Sequence, residues 1–167
     1  MRKIFGIILL STILVSCATT KIYIVRHAEK NSAKPDADLR TPEGYTRANE
    51  LKKILQNVKL NNVYSTNTPR TIHTVEPTAY SQSKALELYK NGDSLALKLL
   101  SQKHKRFLIC GHSNTVPQLI KAVGLNSGIE GNIADNDFDN LFIITKKWRF
   151  GKVKLSLEKR IYGVETN

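Results

Sequence analysis

Two histidines and two arginines stand at the ends of apolar runs in this chain. Arg26-His27 closes Ile22-Tyr23-Ile24-Val25, His112 closes Phe107-Leu108-Ile109-Cys110-Gly111, and Arg70 lies just past Val63-Tyr64-Ser65-Thr66. Runs of this β-branched and aromatic type read as buried strands, and buried strands of α/β proteins present their carboxyl ends to ligands. A histidine there faces a crevice rather than a core. An imidazole with a reference pKa near ~6.5 is neutral and nucleophilic at ordinary pH, and guanidinium groups carry fixed positive charge. Together the four residues suit the holding and transfer of a phosphoryl group.

These residues need a scaffold, and 167 residues suffice for one domain with a sizeable core. The first segment stands apart from that core. Arg2 and Lys3 form a positive n-region, Ile4 to Val15 an apolar h-region, and Leu14-Val15-Ser16-Cys17 follows. The apolar stretch is short for a membrane span and fits a secretory signal. Its Leu-x-Ser-Cys end resembles a bacterial lipobox, which implies cleavage before Cys17 and lipidation of that cysteine. The expected organisation is a lipoprotein signal peptide over 1–16, a lipidated tether over 17–20 and one domain over 21–167. Cleavage removes two basic residues and no acidic one, leaving 24 basic against 14 acidic, or +10. The excess is densest at Lys103-His104-Lys105-Arg106 and Lys146-Lys147-Trp148-Arg149; its sign suits anionic lipid headgroups or phosphorylated substrates, while each cluster taken singly reads as a solvated basic surface. Nucleic acid is not expected as a partner, because no aromatic-interleaved basic element or helix-turn-helix pattern occurs. With Cys17 lipidated, Cys110 is alone, forms no disulfide, and packs as a small hydrophobe within its strand.

The rest of the chain alternates strands and helices. Strands are expected over Lys21–Val25, Val63–Ser65, Leu86–Leu88, Phe107–Cys110, Leu141–Ile144 and Val153–Leu157, the last two joined through Lys146–Lys152. Thr41-Pro42-Glu43 reads as N-cap, first helical residue and first-turn acid, with Ala48, Leu51, Ile54 and Leu55 as the apolar face. Thr68-Pro69 repeats the signal, so Arg70 falls in the first turn of a helix, where free backbone N–H groups add to its attraction for an anion. Helices follow over Leu95–Leu100 and Val116–Val123, the latter stopped by Gly124. The fold class is α/β, with a mostly parallel central sheet and helices on both faces. Asn31 to Arg40 is a loop beside the pocket, His73 flanks it, and His104 among lysines is a surface residue.

The ordered set Ile24-Val25-Arg26-His27-Ala28-Glu29-Lys30, Leu39, Thr41-Pro42-Glu43-Gly44, Arg47-Ala48, Tyr64-Ser65-Thr66, Pro69-Arg70-Thr71, Thr74, Glu76-Pro77, Gly111-His112-Ser113-Asn114 and Asp139-Asn140-Leu141-Phe142 resembles the histidine phosphatase superfamily, the phosphoglycerate mutase-like fold, in its small Arg-His-Ala-Glu-Lys branch. The resemblance implies that His27 attacks phosphorus, that Arg26 and Arg70 bind the phosphoryl oxygens, and that His112 completes a substrate pocket to which Asn114 contributes. It implies neither metal nor other cofactor, because the arginines neutralise the charge. Glu87 is the positional candidate for the proton donor, with Glu29 as the alternative. Only 36 positions separate Arg70 from Arg106, which leaves no room for mutase substrate loops. The expected activity is hydrolysis of an extracytoplasmic phosphate ester, a small molecule, by a protein held on the periplasmic face through lipidated Cys17. The alternatives are a phosphoprotein or phosphohistidine phosphatase and a non-catalytic lipoprotein that binds phosphate ligands.

Overall fold

The computed structural model describes residues 17–166; the signal-peptide assignment over 1–16 lies outside the described residues. The elements run β1 (Ala18–Arg26), α1 (Glu43–Leu55), β2 (Asn62–Ser65), α2 (Pro69–Ser81), β3 (Leu86–Leu88), α3 (Gly92–Ser101), β4 (Arg106–Gly111), α4 (Thr115–Ala122), β5 (Asn140–Arg149) and β6 (Lys152–Ile161). They build one six-stranded sheet in the order β3-β2-β4-β1-β5-β6. The four strands on one side are mutually parallel, while β5 is antiparallel to β1 and β6 to β5. Four βα units joined by three crossovers therefore supply the parallel part, and a closing hairpin supplies the rest.

Alternation along the strands sends side chains to two cores. Ile22, Ile24, Phe107, Ile109, Phe142 and Ile144 pack beneath α3 and α4 through Leu99, Leu119 and Ile120. Tyr23, Val25, Leu108, Cys110, Leu141 and Ile143 pack beneath α1 and α2 through Leu51, Leu55, Val75 and Ala79. With both faces covered, the central strands carry no polar face, which explains their continuous apolar sequence. All ten elements and the three hydrophobic clusters lie between Ala18 and Tyr162, so the segment from Ala18 onward carries the complete described fold.

Three local expectations are corrected. The tether residues Ala18 to Thr20 are strand: they pair with Trp148, Lys147 and Lys146, and Ala18 and Thr20 are buried. Helix α1 begins at Glu43, with Pro42 in the cap position and no side-chain cap, so Thr41 does not cap it; Ile54 is also exposed rather than part of its buried face. Lys146 to Arg149 continue β5 instead of connecting two strands, because a two-residue turn at Phe150-Gly151 suffices. The outer half of the strand is less buried than its first six residues, with Lys147 and Arg149 exposed, so charged residues can continue it.

Candidate active site

His27, Arg70 and His112 converge at the carboxyl ends of β1, β2 and β4. The His27 and His112 ring centroids are 5.5 Å apart, at an interplanar angle of 64°. His27 is anchored by its own backbone, whose N–H donates to the Gly111 carbonyl at 2.9 Å. Its Nδ1 lies 2.8 Å from the Ala28 carbonyl oxygen. A carbonyl only accepts, so Nδ1 carries the hydrogen and Nε2 keeps its lone pair. Burial lowers the His27 imidazole to about 3, opposed by the Ala28 carbonyl and reinforced by Arg26, Arg70 and His112. Burial, then the charges of Arg70, Arg26 and Lys30, lowers His112 to about 4. Both rings are thus neutral at ordinary pH, as a nitrogen nucleophile requires.

The arginines are held differently. Arg26 is buried: Nη1 donates to the carbonyls of Ala134 (2.5 Å) and Asp137 (2.9 Å), Nη2 donates to that of Asp135 (3.3 Å), and the guanidinium lies 4.3 Å from the Phe138 ring centroid. Arg70, second residue of α2, donates from Nη1 to Pro35 O at 2.6 Å and from Nη2 to His112 Nδ1 at 3.3 Å. The latter makes His112 Nδ1 an acceptor, so its Nε2–H donates to Thr66 Oγ1 at 2.9 Å. The Nε–H groups of both Arg26 and Arg70 are buried without a hydrogen-bond partner. An unpaired buried donor costs about 1–3 kcal/mol, more when charged.

Supporting contacts link the elements around this pocket. Thr74 Oγ1 accepts from Ala28 N at 2.9 Å and donates to Arg70 O at 2.7 Å, tying the segment after His27 to α2. Gly111 is needed for close approach, since a Cβ there would sit 2.7 Å from Thr115 Oγ1, the acceptor for the His112 N–H. Glu29 is turned to Arg47. Its carboxylate takes both Nε and Nη2 of buried Arg47 at 2.7–3.0 Å, and Arg47 also binds the carbonyls of Tyr162 and Val164. Glu87 is displaced as well: it is exposed on edge strand β3 and accepts from Asn62 Nδ2 at 2.6 Å, at the far end of β2 from the pocket. Asn114 is exposed in the α4 cap position, and its side chain does not cap the helix. His73 bonds Asp38 Oδ1 at 2.5 Å and stacks on Tyr45, bracing the 31–40 loop; His104 is exposed. Phe138 and the carbonyls of Ala134, Asp135 and Asp137 join the site without a sequence motif, whereas Lys30 stands in the Arg-His-Ala-Glu-Lys motif. A lone aromatic in the acidic stretch Asp135-Asn136-Asp137-Phe138-Asp139 was the available signal for Phe138.

Beside the pocket opens a cleft of about 520 Å³, lined among others by Glu29, Lys30, Arg40, Asp135 and Phe138. Its lining meets the site through Phe138, whose ring lies against the Arg26 guanidinium, and Asp135, whose carbonyl accepts from Arg26. Stability should respond to the buried rings. Between pH 6.5 and about 3 the unfolded chain protonates His27 while the folded protein does not, so the folded state binds fewer protons. Stability is therefore expected to fall as pH drops from 6.5 toward 3, and His27→Asn should flatten that dependence in thermal unfolding measured across the range. An unchanged slope in the variant would contradict it.

A family model described as the histidine phosphatase superfamily (branch 1) matches residues 22–92, which contain His27, Arg26 and Arg70. Among solved structures, a mycobacterial glucosyl-3-phosphoglycerate phosphatase superposes with a TM-score of 0.66 at 9% identity, over 84% of this chain and 97% of that one. A mutant phosphoserine phosphatase from Entamoeba histolytica, in complex with phosphoserine, gives 0.58 at 16% identity over 83% and 96%. SixA of Agrobacterium tumefaciens, assigned as a phosphohistidine phosphatase, gives 0.58 at 16% over 86% and 99%. No curated protein sequence matches. The family model spans less than half of the chain, and the neighbours, at 9–16% identity, share its phosphoglycerate mutase-like α/β fold.

Proposed function

We propose that this protein is a phosphomonoesterase that works through a phosphohistidine on His27, without a metal, on a small phosphate ester outside the cytoplasm. The observation that carries this reading is one pocket holding a neutral imidazole with a free Nε2 lone pair beside two guanidiniums with unpaired buried Nε–H donors. The Nε2 lone pair forms a bond to phosphorus as the phosphorus–oxygen bond to the leaving alcohol breaks. Water then attacks the phosphohistidine, releasing phosphate and regenerating the imidazole. Arg26 and Arg70 stabilise the charge on the transferring oxygens, and His112 steadies Arg70. The leaving oxygen needs a proton. With Glu87 at the sheet edge and Glu29 held by Arg47, the carboxylate left in the cleft is Asp135, fully exposed and 3.9 Å from Arg26. Structures of this fold that hold phosphoserine and 3-phosphoglyceric acid support a small ester as substrate.

Location rests on Cys17, which is exposed and immediately precedes β1; its lipidation would fix the domain to the periplasmic face of a bacterial membrane. The displacement of Glu87 favours a second reading, a lipoprotein that captures phosphate ligands without turning them over. One experiment separates the two. The protein from Ala18 onward, given p-nitrophenyl phosphate with excess chelator and quenched in alkali, is expected to release nitrophenol and to carry an acid-labile phosphoryl group on the His27 peptide. Binding without release selects the second reading, and release that stops with chelator refutes metal independence.

A further inference from the structure

We propose that the β5–β6 hairpin tip and the adjoining basic loop form a docking surface for anionic lipid bilayer, at the end of the sheet opposite the catalytic pocket. Strand β1 starts at this end, with Ala18 paired to Trp148, and finishes at the pocket with Arg26. Eight steps at ~3.3 Å each separate the two by roughly 26 Å. From Asn140 to Leu157 the chain contains no acidic residue, while Lys146, Lys147, Arg149, Lys152 and Lys154 crowd the tip. The loop before β4 adds Lys103 and Lys105, and it is bound to the same place. Thr20 Oγ1 donates to Gln102 O at 2.6 Å, Lys21 N donates to Lys105 O at 2.9 Å, and Lys103 Nζ sits 6.0 Å from the Trp148 ring centroid.

The aromatic residues point to lipid rather than to soluble anions. Phe150 occupies the turn, 65% exposed, in a left-handed conformation with φ of 50°, followed by Gly151 at 73°. Two-residue hairpin turns of this hand favour Asn-Gly, and a bulky side chain at positive φ is strained. An exposed phenylalanine there gains neither burial nor backbone ease within the protein. Arg149 lies 5.0 Å from the Phe150 ring centroid and Lys146 4.9 Å from that of Trp148, giving the mixture of cations and amphipathic rings that suits a headgroup layer. Residue 17 precedes the buried start of β1 with no slack, so an acyl chain on Cys17 would press this end against the bilayer. That last point rests on the anchoring reading; the surface itself does not. Docked this way, the pocket faces away from the membrane, toward soluble substrate.

Trp148 is the only tryptophan of the chain and reports on the surface directly. The protein from Ala18 onward lacks the candidate lipidation site, so its binding is independent of the anchor. With vesicles of equal phosphatidylglycerol and phosphatidylcholine at low ionic strength, it is expected to co-sediment and its emission to shift to the blue; pure phosphatidylcholine should do neither. At about fivefold per cation removed, Arg149→Gln with Lys152→Gln should weaken binding roughly twenty-five-fold. Phe150→Ser should abolish the blue shift. Circular dichroism and nitrophenyl phosphate hydrolysis, read separately, report folding and the phosphatase reading. Equal binding to neutral vesicles, wild-type binding by both variants, or no binding at all would overturn the proposal.

Discussion

The His27→Ala protein is expected to retain its fold and to lose at least about four orders of magnitude in kcat, because removal of a covalent nucleophile leaves only binding and charge stabilisation behind. No neighbour replaces it. The adjacent imidazole, His112, has Nε2 committed to Thr66 and Nδ1 facing the Arg70 guanidinium, so neither nitrogen presents a free lone pair to the pocket. Cys110 is wholly buried, and burial pushes its thiol up, out of thiolate range. The variant also leaves the guanidiniums of Arg26 and Arg70 in place, so phosphate binding should survive while the phosphoenzyme disappears. Initial rates, titration with inorganic phosphate and alkaline-quench mass spectrometry read the three quantities separately. Hydrolysis within tenfold of wild type would show that water attacks the ester directly and would end the phosphohistidine mechanism.

The strands that carry the site were legible because each is apolar and buried on both faces, and because their C-terminal residues are chemically distinctive. Arg70 was placed by the proline in Thr68-Pro69-Arg70, which leaves a helix little choice of start. Failures share a cause: they depend on partners distant in sequence. Ala18 to Thr20 reads as a tether since two threonines beside an anchor carry no pattern, yet their register partners lie some 130 residues away at 146–148. Glu87 sits in a strand of three residues, where a period of two gives no reliable face, and pairing with β2 turned it toward Asn62. The cradle around Arg26 is built from the main-chain carbonyls of Ala134, Asp135 and Asp137, groups that every residue type possesses and that no sequence motif advertises. Arg47 was visible as part of a pattern, but its burial between Glu29 and the C-terminal carbonyls was not, since charged residues at helical positions are normally solvated.

Substitution of Arg26 and Arg70, the arginines proposed to bind the phosphoryl group, is expected to lower activity alike and stability unlike. Arg70→Ala removes one preorganised donor from the transferring oxygens, which typically costs about 10²- to 10³-fold in kcat, or roughly 3–4 kcal/mol of transition-state stabilisation. Its folded-state contacts are the Pro35 carbonyl and the His112 ring at the half-open pocket mouth, so its unfolding free energy should fall by only about 1 kcal/mol. Arg26→Ala should cost at least as much rate and also about 3 kcal/mol or more of stability. It strips the carbonyls of Ala134, Asp135 and Asp137 of their donor at once and leaves Phe138 without its cation. Lysine separates charge from geometry. Arg70→Lys restores a positive charge beside the ester and should recover part of kcat. Arg26→Lys cannot reach three carbonyls with one compact ammonium, so its loop stays loose and neither stability nor rate should return. Paired measurements of kcat/KM and urea unfolding on all four variants decide the matter. Equal destabilisation at the two positions would mean that the 134–137 loop holds its shape without Arg26, and that the arginine serves the phosphoryl group alone.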